Sequence, residues 1–155
     1  MPPDVRLRPL AEGEYADWDA AHRREYAQGL VEHAGLSPEE AEAKVARDIP
    51  AVLPDGLATA GVHLWVAEAE GRRVGTTFVG LRGGEAWLYD ITIEETERGR
   101  GYGRAAMLAL EDEVRTLGFA RLALNVWGGN EVARGLYRSL GYTEESVHMG
   151  KALEP

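Results

Sequence analysis

Polar and apolar residues alternate with a period of two through the middle of the chain. The alternation runs through three segments, HLWVAEA at 63–69, RRVGTTFVGLR at 72–82 and EAWLYDITI at 85–93. The dipeptides EG at 70–71 and GG at 83–84 separate these segments, and glycine-containing dipeptides fit two-residue hairpin turns. The pattern therefore predicts three strands joined as an antiparallel meander.

Outside the meander, apolar residues recur with the 3.6-residue period of amphipathic helices. Helices are predicted at 12–30, from Ser37 to about Leu53, at 104–117 and at 130–140, and further strands at 5–10, 121–127 and 147–153. Ser37 and Asn130 fit N-caps. Gly118 and Gly141 fit left-handed helix ends. This order of elements predicts an α/β fold whose sheet has antiparallel and parallel parts.

The size and composition of the chain exclude several functions. With 155 residues and 45% hydrophobic content, the sequence predicts a single domain over 1–155. Cysteine is absent and the four histidines lack metal-binding spacing, so neither a disulfide nor a metal site is expected. No apolar run could span a membrane and no signal peptide is recognised, so a soluble, cytoplasmic protein without membrane contact is expected.

The charges favour a small phosphorylated ligand over nucleic acid. Acidic residues outnumber basic ones by 26 to 17, and the resulting net charge of −9 argues against nucleic-acid binding. All basic residues except Lys44 and Lys151 are arginines, whose guanidinium groups can bind phosphate through two hydrogen bonds. An acidic chain with one local arginine cluster therefore suggests a phosphorylated small molecule.

That cluster lies in RGRGYGRAAM at 98–107, between the third meander strand and a predicted helix. A helix start presents unpaired backbone N–H groups and the positive end of its dipole, and glycines let an anion approach them. The arginines and glycines concerned are Arg98, Gly99, Arg100, Gly101, Gly103 and Arg104. The segment predicts a pyrophosphate site, although the glycines are also compatible with a simple tight turn and the arginines with solvated surface charges.

The spacing distinguishes this segment from other phosphate-binding motifs. A nucleotide P-loop needs a lysine after its glycines, and the dinucleotide fingerprint needs GxGxxG, whereas this segment has no lysine and reads GxGxG. The pattern RxxGxG, from Arg98 through Gly101 to Gly103, fits instead. A second block follows downstream and consists of Asn130, Ala133, Leu136, Tyr137, Gly141 and Tyr142.

Together with Ile91 and Ile93 before the first motif, these two blocks resemble the GNAT superfamily of acyl-CoA-dependent N-acetyltransferases over about residues 85–142. The resemblance implies a mixed sheet of about six to seven strands flanked by four helices, with an antiparallel meander and a parallel pair splayed at a cofactor cleft. It also implies transfer of an acetyl group from acetyl-CoA to an amine of a small molecule or peptide, by direct attack through a tetrahedral intermediate.

The resemblance also assigns the acetyl-CoA contacts. Pyrophosphate would lie on the segment from Arg98 to Arg104, and the pantetheine amides would pair with a splayed strand as an added strand does. The residues expected to contact the coenzyme are Ile91, Thr92, Ile93, Arg98, Gly99, Arg100, Gly101, Tyr102, Gly103, Arg104, Asn130 and Ala133. Asn130 also fits a plain helix cap.

Two proton transfers remain for the chain to catalyse. The resemblance places Tyr137 as the acid that protonates the departing CoA thiolate. Glu85 is the first candidate for the base, because a period of two puts it on one strand face with Ile91 and Ile93. Asp90 falls on the other face and is the second candidate, since a β-bulge can reverse the facing.

The sequence does not specify which amine accepts the acetyl group. Relatives that acetylate protein N-termini on ribosomes often carry a glutamate base where this chain has Asn125, and an asparagine cannot accept that proton. Acyl-chain preference and oligomeric state stay open, although homodimers are common in the family. The alternative function is a catalytically silent acyl-CoA-binding or regulatory module, against which Tyr137 speaks.

Overall fold

The computed structural model describes residues 2–155. Its elements are β1 (Arg6–Pro9), α1 (Glu12–Ala34), α2 (Pro38–Val52), β2 (His63–Ala69), β3 (Arg72–Arg82), β4 (Glu85–Ile93), α3 (Tyr102–Thr116), β5 (Leu122–Leu124) and α4 (Glu131–Ser139), with short 3-10 helices at Gly56–Ala58 and Glu95–Glu97. The chain divides into two compact units, one with the residues up to Gly13 and Leu57–Asn125, the other with Glu14–Gly56 and Val126–Pro155. The single domain expected over residues 1–155 stays a prediction.

The first unit contains one mixed sheet in the strand order β1-β2-β3-β4-β5. The first three pairs are antiparallel and β4–β5 is parallel, so the predicted meander is confirmed. Both hairpin turns have positive φ at their two central residues, 53° at Glu70 and 76° at Gly71, and 59° at Gly83 and 82° at Gly84. Such turns match the right-handed twist of the strands that they join.

Helix α3 supplies the apolar cover for part of this sheet. Its residues Tyr102 and Ala106 join Val74 of β3 in one buried cluster, against which Ile91 and Ile93 of β4 pack. The rest of its buried stripe consists of Met107, Leu110 and Val114. The helix begins two residues before the predicted Arg104, and Gly118, with a φ of 95°, follows its C-terminal end as predicted.

A β-bulge interrupts the pairing of β3 with β4. Phe78 lies opposite Asp90, whereas its neighbour Val79 lies opposite Leu88, so Tyr89 is an extra residue in β4. A bulge of this kind shifts by one the alternation of side chains between the two faces of a strand. Strand β4 therefore contains a β-bulge, the feature on which the choice of Asp90 as second candidate base depends.

The bulge corrects the predicted facing of β4. Glu85 and Asp90 lie opposite Arg82 and Phe78, which are an even number of residues apart on β3, so these two acids share one face. Ile91 and Ile93 lie opposite the intervening residues of β3 and point to the other face. The prediction that Glu85 shares a face with Ile91 and Ile93 is wrong, because an unbroken period of two cannot describe a bulged strand.

The sheet has five strands rather than the six to seven expected. The predicted strand at 121–127 is reduced to Leu122–Leu124, and the predicted strand at 147–153 is absent from the described chain. Residues 143–155 are exposed and have no regular secondary structure. Strands need a partner for their backbone hydrogen bonds, and an alternating pattern alone cannot guarantee one within the same chain.

The second unit contains α1, α2 and α4. Ser37 caps α2 as predicted: its hydroxyl accepts a hydrogen bond from the Glu40 N–H at 3.1 Å, and the Glu40 side chain accepts from the Ser37 N–H. Tyr26 of α1 donates to Asp48 of α2 at 2.6 Å, and this bond ties the two helices together. None of the helices among residues 2–155 is long and apolar enough to cross a membrane.

Candidate functional site

The glycine-rich segment forms the connection from β4 to α3. Gly99 has a φ of 77° and Gly101 has a φ of 84°, a left-handed backbone that side-chain-bearing residues rarely adopt. A Cβ at Gly99 would meet open space, and one at Gly101 would lie 3.5 Å from Pro3 Cδ. Gly103 lies within α3. The first two glycines are therefore required by backbone geometry, and they leave the peptide surface bare.

The N-terminus of α3 has the form of an anion-binding site. Gly101 is its N-cap and provides no side-chain cap. The Ala105 N–H donates to the Gly101 carbonyl at 3.1 Å, so helical hydrogen bonding accounts for the amides only from Ala105 onward. The first-turn amides and the positive end of the helix dipole therefore point toward the glycine segment.

The three arginines of the segment have different surroundings. Arg98 donates from Nε to the backbone oxygen of Ile93, at 3.1 Å. Arg100 lies 3.5 Å from a carboxylate oxygen of Glu97. Arg104, in the first turn of α3, is exposed. The end of β4 thus holds Arg98 in place, and contact of the three arginines with pyrophosphate stays a prediction.

An ion pair between Arg72 and Glu97 lies beside this segment. Neither residue was predicted from the sequence to belong to the site. Arg72 donates to both oxygens of the Glu97 carboxylate, from Nε and Nη2, each at 2.9 Å. Arg72 Nη2 also lies 3.1 Å from the Tyr102 hydroxyl. The bonds from Arg72 lower the pKa of Glu97. Because the two residues are 25 positions apart, no local pattern indicated that they meet.

Strand β4 is open along its second half. The parallel ladder with β5 ends at the pair Leu88–Leu124, whereas β4 continues to Ile93. The Glu94 N–H donates to Val74 of β3 at 2.8 Å. By the two-residue alternation of antiparallel pairing, the backbone groups of Ile91 and Ile93 point away from β3. The pairing of β4 with β5 therefore covers only the first half of β4, and a splay of the two strands at a cofactor cleft stays a prediction.

Asp90 combines a raised pKa with a defined orientation. Its carboxylate accepts a hydrogen bond from the Thr92 hydroxyl at 2.8 Å. Burial raises the pKa of Asp90 to about 6, although the bond from Thr92 opposes the shift. A carboxylate with this pKa is mostly ionised at neutral pH and can still accept a proton effectively.

Glu85 has a different environment at the start of β4. Its carboxylate lies 2.9 Å from Arg121 Nε, and its side chain is 41% exposed. This arrangement is that of a surface ion pair, which contributes little to stability. The two candidate bases therefore share a face of β4 and differ in partner and burial.

The second sequence block forms α4 and its ends. Asn130 is the N-cap, and its side-chain oxygen accepts a hydrogen bond from the Ala133 N–H at 3.2 Å. Tyr137 is half-buried, with its ring 5.9 Å from that of Tyr142 in an edge-on arrangement. Gly141, with a φ of 95°, follows the end of the helix as predicted. The roles of Asn130, Ala133 and Tyr137 toward a coenzyme stay predictions.

The acetyltransferase (GNAT) family model matches residues 27–142 of this chain. The chain is 30% identical to the uncharacterized N-acetyltransferase YycN of Bacillus subtilis (strain 168), covering 96% of this chain and 99% of the relative. It is 26% identical to the uncharacterized N-acetyltransferase YdgE of the same organism, covering 95% and 97% of the two chains.

Solved structures show the same fold. The crystal structure of YycN from Bacillus subtilis has a TM-score of 0.91 at 31% identity and covers 97% of this chain and 99% of its own. The aminoglycoside N-acetyltransferase AAC(6')-Iy in complex with CoA has a TM-score of 0.62 at 14% identity, with 98% and 97% of the two chains covered. The second likeness concerns the fold alone.

Proposed function

The chain belongs to the acetyltransferase (GNAT) family, and from that premise we propose that it transfers an acetyl group from acetyl-CoA to an amine of a small molecule or peptide. The observation that carries this proposal is the start of α3, where left-handed Gly101 precedes a helical turn without a side-chain cap. A diphosphate fits there, because the amides can donate to it and the helix dipole favours its charge. Arg100 and Arg104 add cationic charge nearby.

The open half of β4 suits the pantetheine arm of the coenzyme. The outward backbone groups of Ile91 and Ile93 offer hydrogen bonds to the amides of the arm, in the manner of strand addition. Part of this capacity is already used, because the Ile93 oxygen accepts from Arg98. Arg98 therefore connects the end of β4 to the loop and also supplies charge. The backbone groups of Ile91, rather than those of Ile93, are then the main hydrogen-bond partners for the pantetheine arm.

Asp90 is the stronger candidate for the base. Its raised pKa and its bond to Thr92 hold a carboxylate that is both ionised and basic near neutral pH. Glu85 is held by Arg121 in an exposed ion pair, so its role as base stays the weaker prediction. The bulge puts both acids on one face of β4, so the facing does not distinguish them and the order of preference rests on their burial and partners.

The proposed reaction balances with two proton transfers. The amine nitrogen attacks the thioester carbonyl and forms the C–N bond, and Asp90 takes the amine proton. The C–S bond then breaks as the carbonyl re-forms, and the CoA thiolate takes a proton from Tyr137. Exchange with solvent removes the proton from Asp90 and returns one to the Tyr137 phenolate, so both groups are restored. The bulge at Tyr89 offers a backbone N–H outside the regular ladder to the developing oxyanion, and a donor in that role is worth about 3 kcal/mol.

Release of the CoA thiol over a panel of amines and peptides tests this function directly. Because the chain has no cysteine, a thiol reagent detects only the released coenzyme. A melting shift with acetyl-CoA separates binding from turnover, and it should equal about 2.7 kcal/mol of added stability at a ligand concentration of 100 Kd. Binding without thiol release from any acceptor would favour the silent module, and absence of a melting shift would contradict the proposed site.

A further inference from the structure

Arg72, the first residue of β3, contacts the chain on both sides of the glycine-rich segment. Before the segment, Glu97 accepts hydrogen bonds from Arg72 Nε and Nη2, each at 2.9 Å. After the glycine at the N-cap, Tyr102 begins α3, and its hydroxyl lies 3.1 Å from Arg72 Nη2. These bonds form a brace across the segment, and the planar guanidinium fixes the directions of its donors.

The three side chains of this brace are themselves held by the fold. Glu97 ends the short helix before the segment, and its side chain is 13% exposed. Tyr102 is 6% exposed and belongs to the buried cluster between α3 and the sheet. Arg72 is oriented from the hairpin side as well, because its Nη1 donates to Glu70 at 2.8 Å. The brace therefore joins the β2–β3 hairpin to both ends of the segment.

The segment between the two contacts needs such a restraint. Gly99 and Gly101 adopt left-handed backbone with φ values of 77° and 84°, and glycine loses more conformational freedom on ordering than any other residue. A binding site that becomes ordered only when its ligand arrives loses affinity, whereas a site that is already ordered does not. Two fixed ends limit the conformations of the segment, so the first-turn amides of α3 are in place before an anion binds.

We propose that Arg72 is a positioning residue for the diphosphate of acetyl-CoA, which it serves by holding Glu97 and Tyr102 at the two ends of the glycine-rich segment. This inference rests on the proposed coenzyme site at the start of α3. Arg72 acts through the segment and does not itself need to touch the coenzyme. Because the diphosphate is remote from the reacting thioester, loss of Arg72 should weaken coenzyme binding and leave kcat at saturation nearly unchanged.

Titration calorimetry with CoA and steady-state thiol release test the proposal. Arg72→Met removes the charged fork and keeps an unbranched side chain, so the Kd for CoA and the KM for acetyl-CoA should rise at least about tenfold. Arg73→Met is the matched control. Arg73 is the next residue along β3 and makes an ion pair of the same 2.9 Å length with Glu94, and its side chain is 37% exposed against 38% for Arg72. It should leave both constants unchanged.

A substrate without the diphosphate separates positioning from a general effect on folding. S-acetylpantetheine has the thioester and the pantetheine amides of acetyl-CoA but no diphosphate, so its kcat/KM should be the same in the wild type and in Arg72→Met. Glu97→Gln weakens the brace from its other end and should also raise the Kd for CoA. The proposal therefore does not depend on the folding of one variant.

Arg72→Lys separates the geometry of the brace from its charge. Arg72 also offsets the charge of Glu97, whose carboxylate lies 3.5 Å from Arg100. A lysine keeps the positive charge but lacks the planar fork that reaches two carboxylate oxygens and a hydroxyl, so the Kd for CoA should stay raised. Wild-type affinity in Arg72→Lys would show that charge alone suffices and would overturn the positioning role.

The remaining outcomes distinguish this inference from the proposed function. A wild type that does not bind CoA would overturn the coenzyme site and the inference with it. A wild type that binds CoA, with an equal Kd in Arg72→Met, would overturn the role of Arg72 alone. An equal loss of kcat/KM for acetyl-CoA and S-acetylpantetheine in Arg72→Met would do the same, because it would indicate a general structural effect.

Discussion

At the scale of single residues, the position of Asp90 after the bulge leads to the sharpest kinetic prediction. Asp90→Asn removes the proposed base while it keeps the side-chain size and the capacity to accept from Thr92. We expect kcat to fall about 100-fold or more, because general base catalysis contributes about that much, with little change in the KM for acetyl-CoA. Steady-state thiol release over an acetyl-CoA series measures both constants.

The pH dependence of the same reaction follows from the raised pKa. A base is active when deprotonated, so the rate of the wild type should fall as pH decreases through about 6, the pKa of Asp90. The Asp90→Asn variant should lose this acidic limb. Glu85→Gln serves as the matched control and should keep both the limb and most of kcat. Loss of the limb in Glu85→Gln, with retention in Asp90→Asn, would reverse the assignment.

Thr77 leads to a prediction about stability. Its hydroxyl is buried and has no hydrogen-bond partner in the described chain, and the residue is 1% exposed. Thr77→Val replaces the hydroxyl with a methyl group, so the free energy of unfolding should rise by about 1 kcal/mol. Thr77→Ser keeps the hydroxyl and loses a methyl group, and it should be less stable than the wild type. Urea unfolding of the three proteins decides the order.

At the scale of elements, the turn from β4 into α3 can be tested against another turn with the same backbone. Gly101 and Gly84 have φ values of 84° and 82°, and neither position is crowded. Valine at either position should cost about 1–2 kcal/mol of stability, because the left-handed region disfavours a Cβ. Only Gly101→Val should abolish the melting shift with acetyl-CoA.

The outcome of this comparison separates binding from folding. Because the two variants carry the same strain, a lost shift in Gly101→Val alone assigns the coenzyme to the start of α3. A full melting shift in Gly101→Val, at saturating acetyl-CoA, would remove that assignment. Equal loss in both variants would indicate that general destabilisation, rather than the site, controls the shift.

Elements whose signals are local were predictable from the sequence. The bounds of β2, β3 and β4 match the predicted segments, because alternation and glycine turns are both encoded within a few residues. The cap at Ser37 and the helix ends at Gly118 and Gly141 follow from the same kind of short-range chemistry. The glycine segment was likewise recognised, since its spacing and backbone requirement lie in one run.

Features that depend on register or on partners were not predictable. The bulge at Tyr89 arises from how β3 and β4 align with each other. The predicted facing of Glu85 relative to Ile91 was therefore wrong. The brace between Arg72 and Glu97 joins residues far apart in the chain. The shortened β5 shows that a strand pattern specifies a capacity for pairing, whereas the pairing itself requires a second edge.

At the scale of the whole molecule, the charge of the chain leads to a prediction about acceptors. A net charge of −9 raises the local concentration of cationic amines, and salt screens this attraction over about 10 Å at 0.1 M ionic strength. For an amine acceptor that carries several positive charges, kcat/KM should therefore fall as ionic strength rises from about 10 to 200 mM. For an acidic peptide with one free amine, kcat/KM should rise or stay level.

The KM for acetyl-CoA, measured in parallel, shows whether salt acts through the arginines of the coenzyme site instead. Equal salt dependence for both acceptors would indicate that the field of the whole chain does not select the amine.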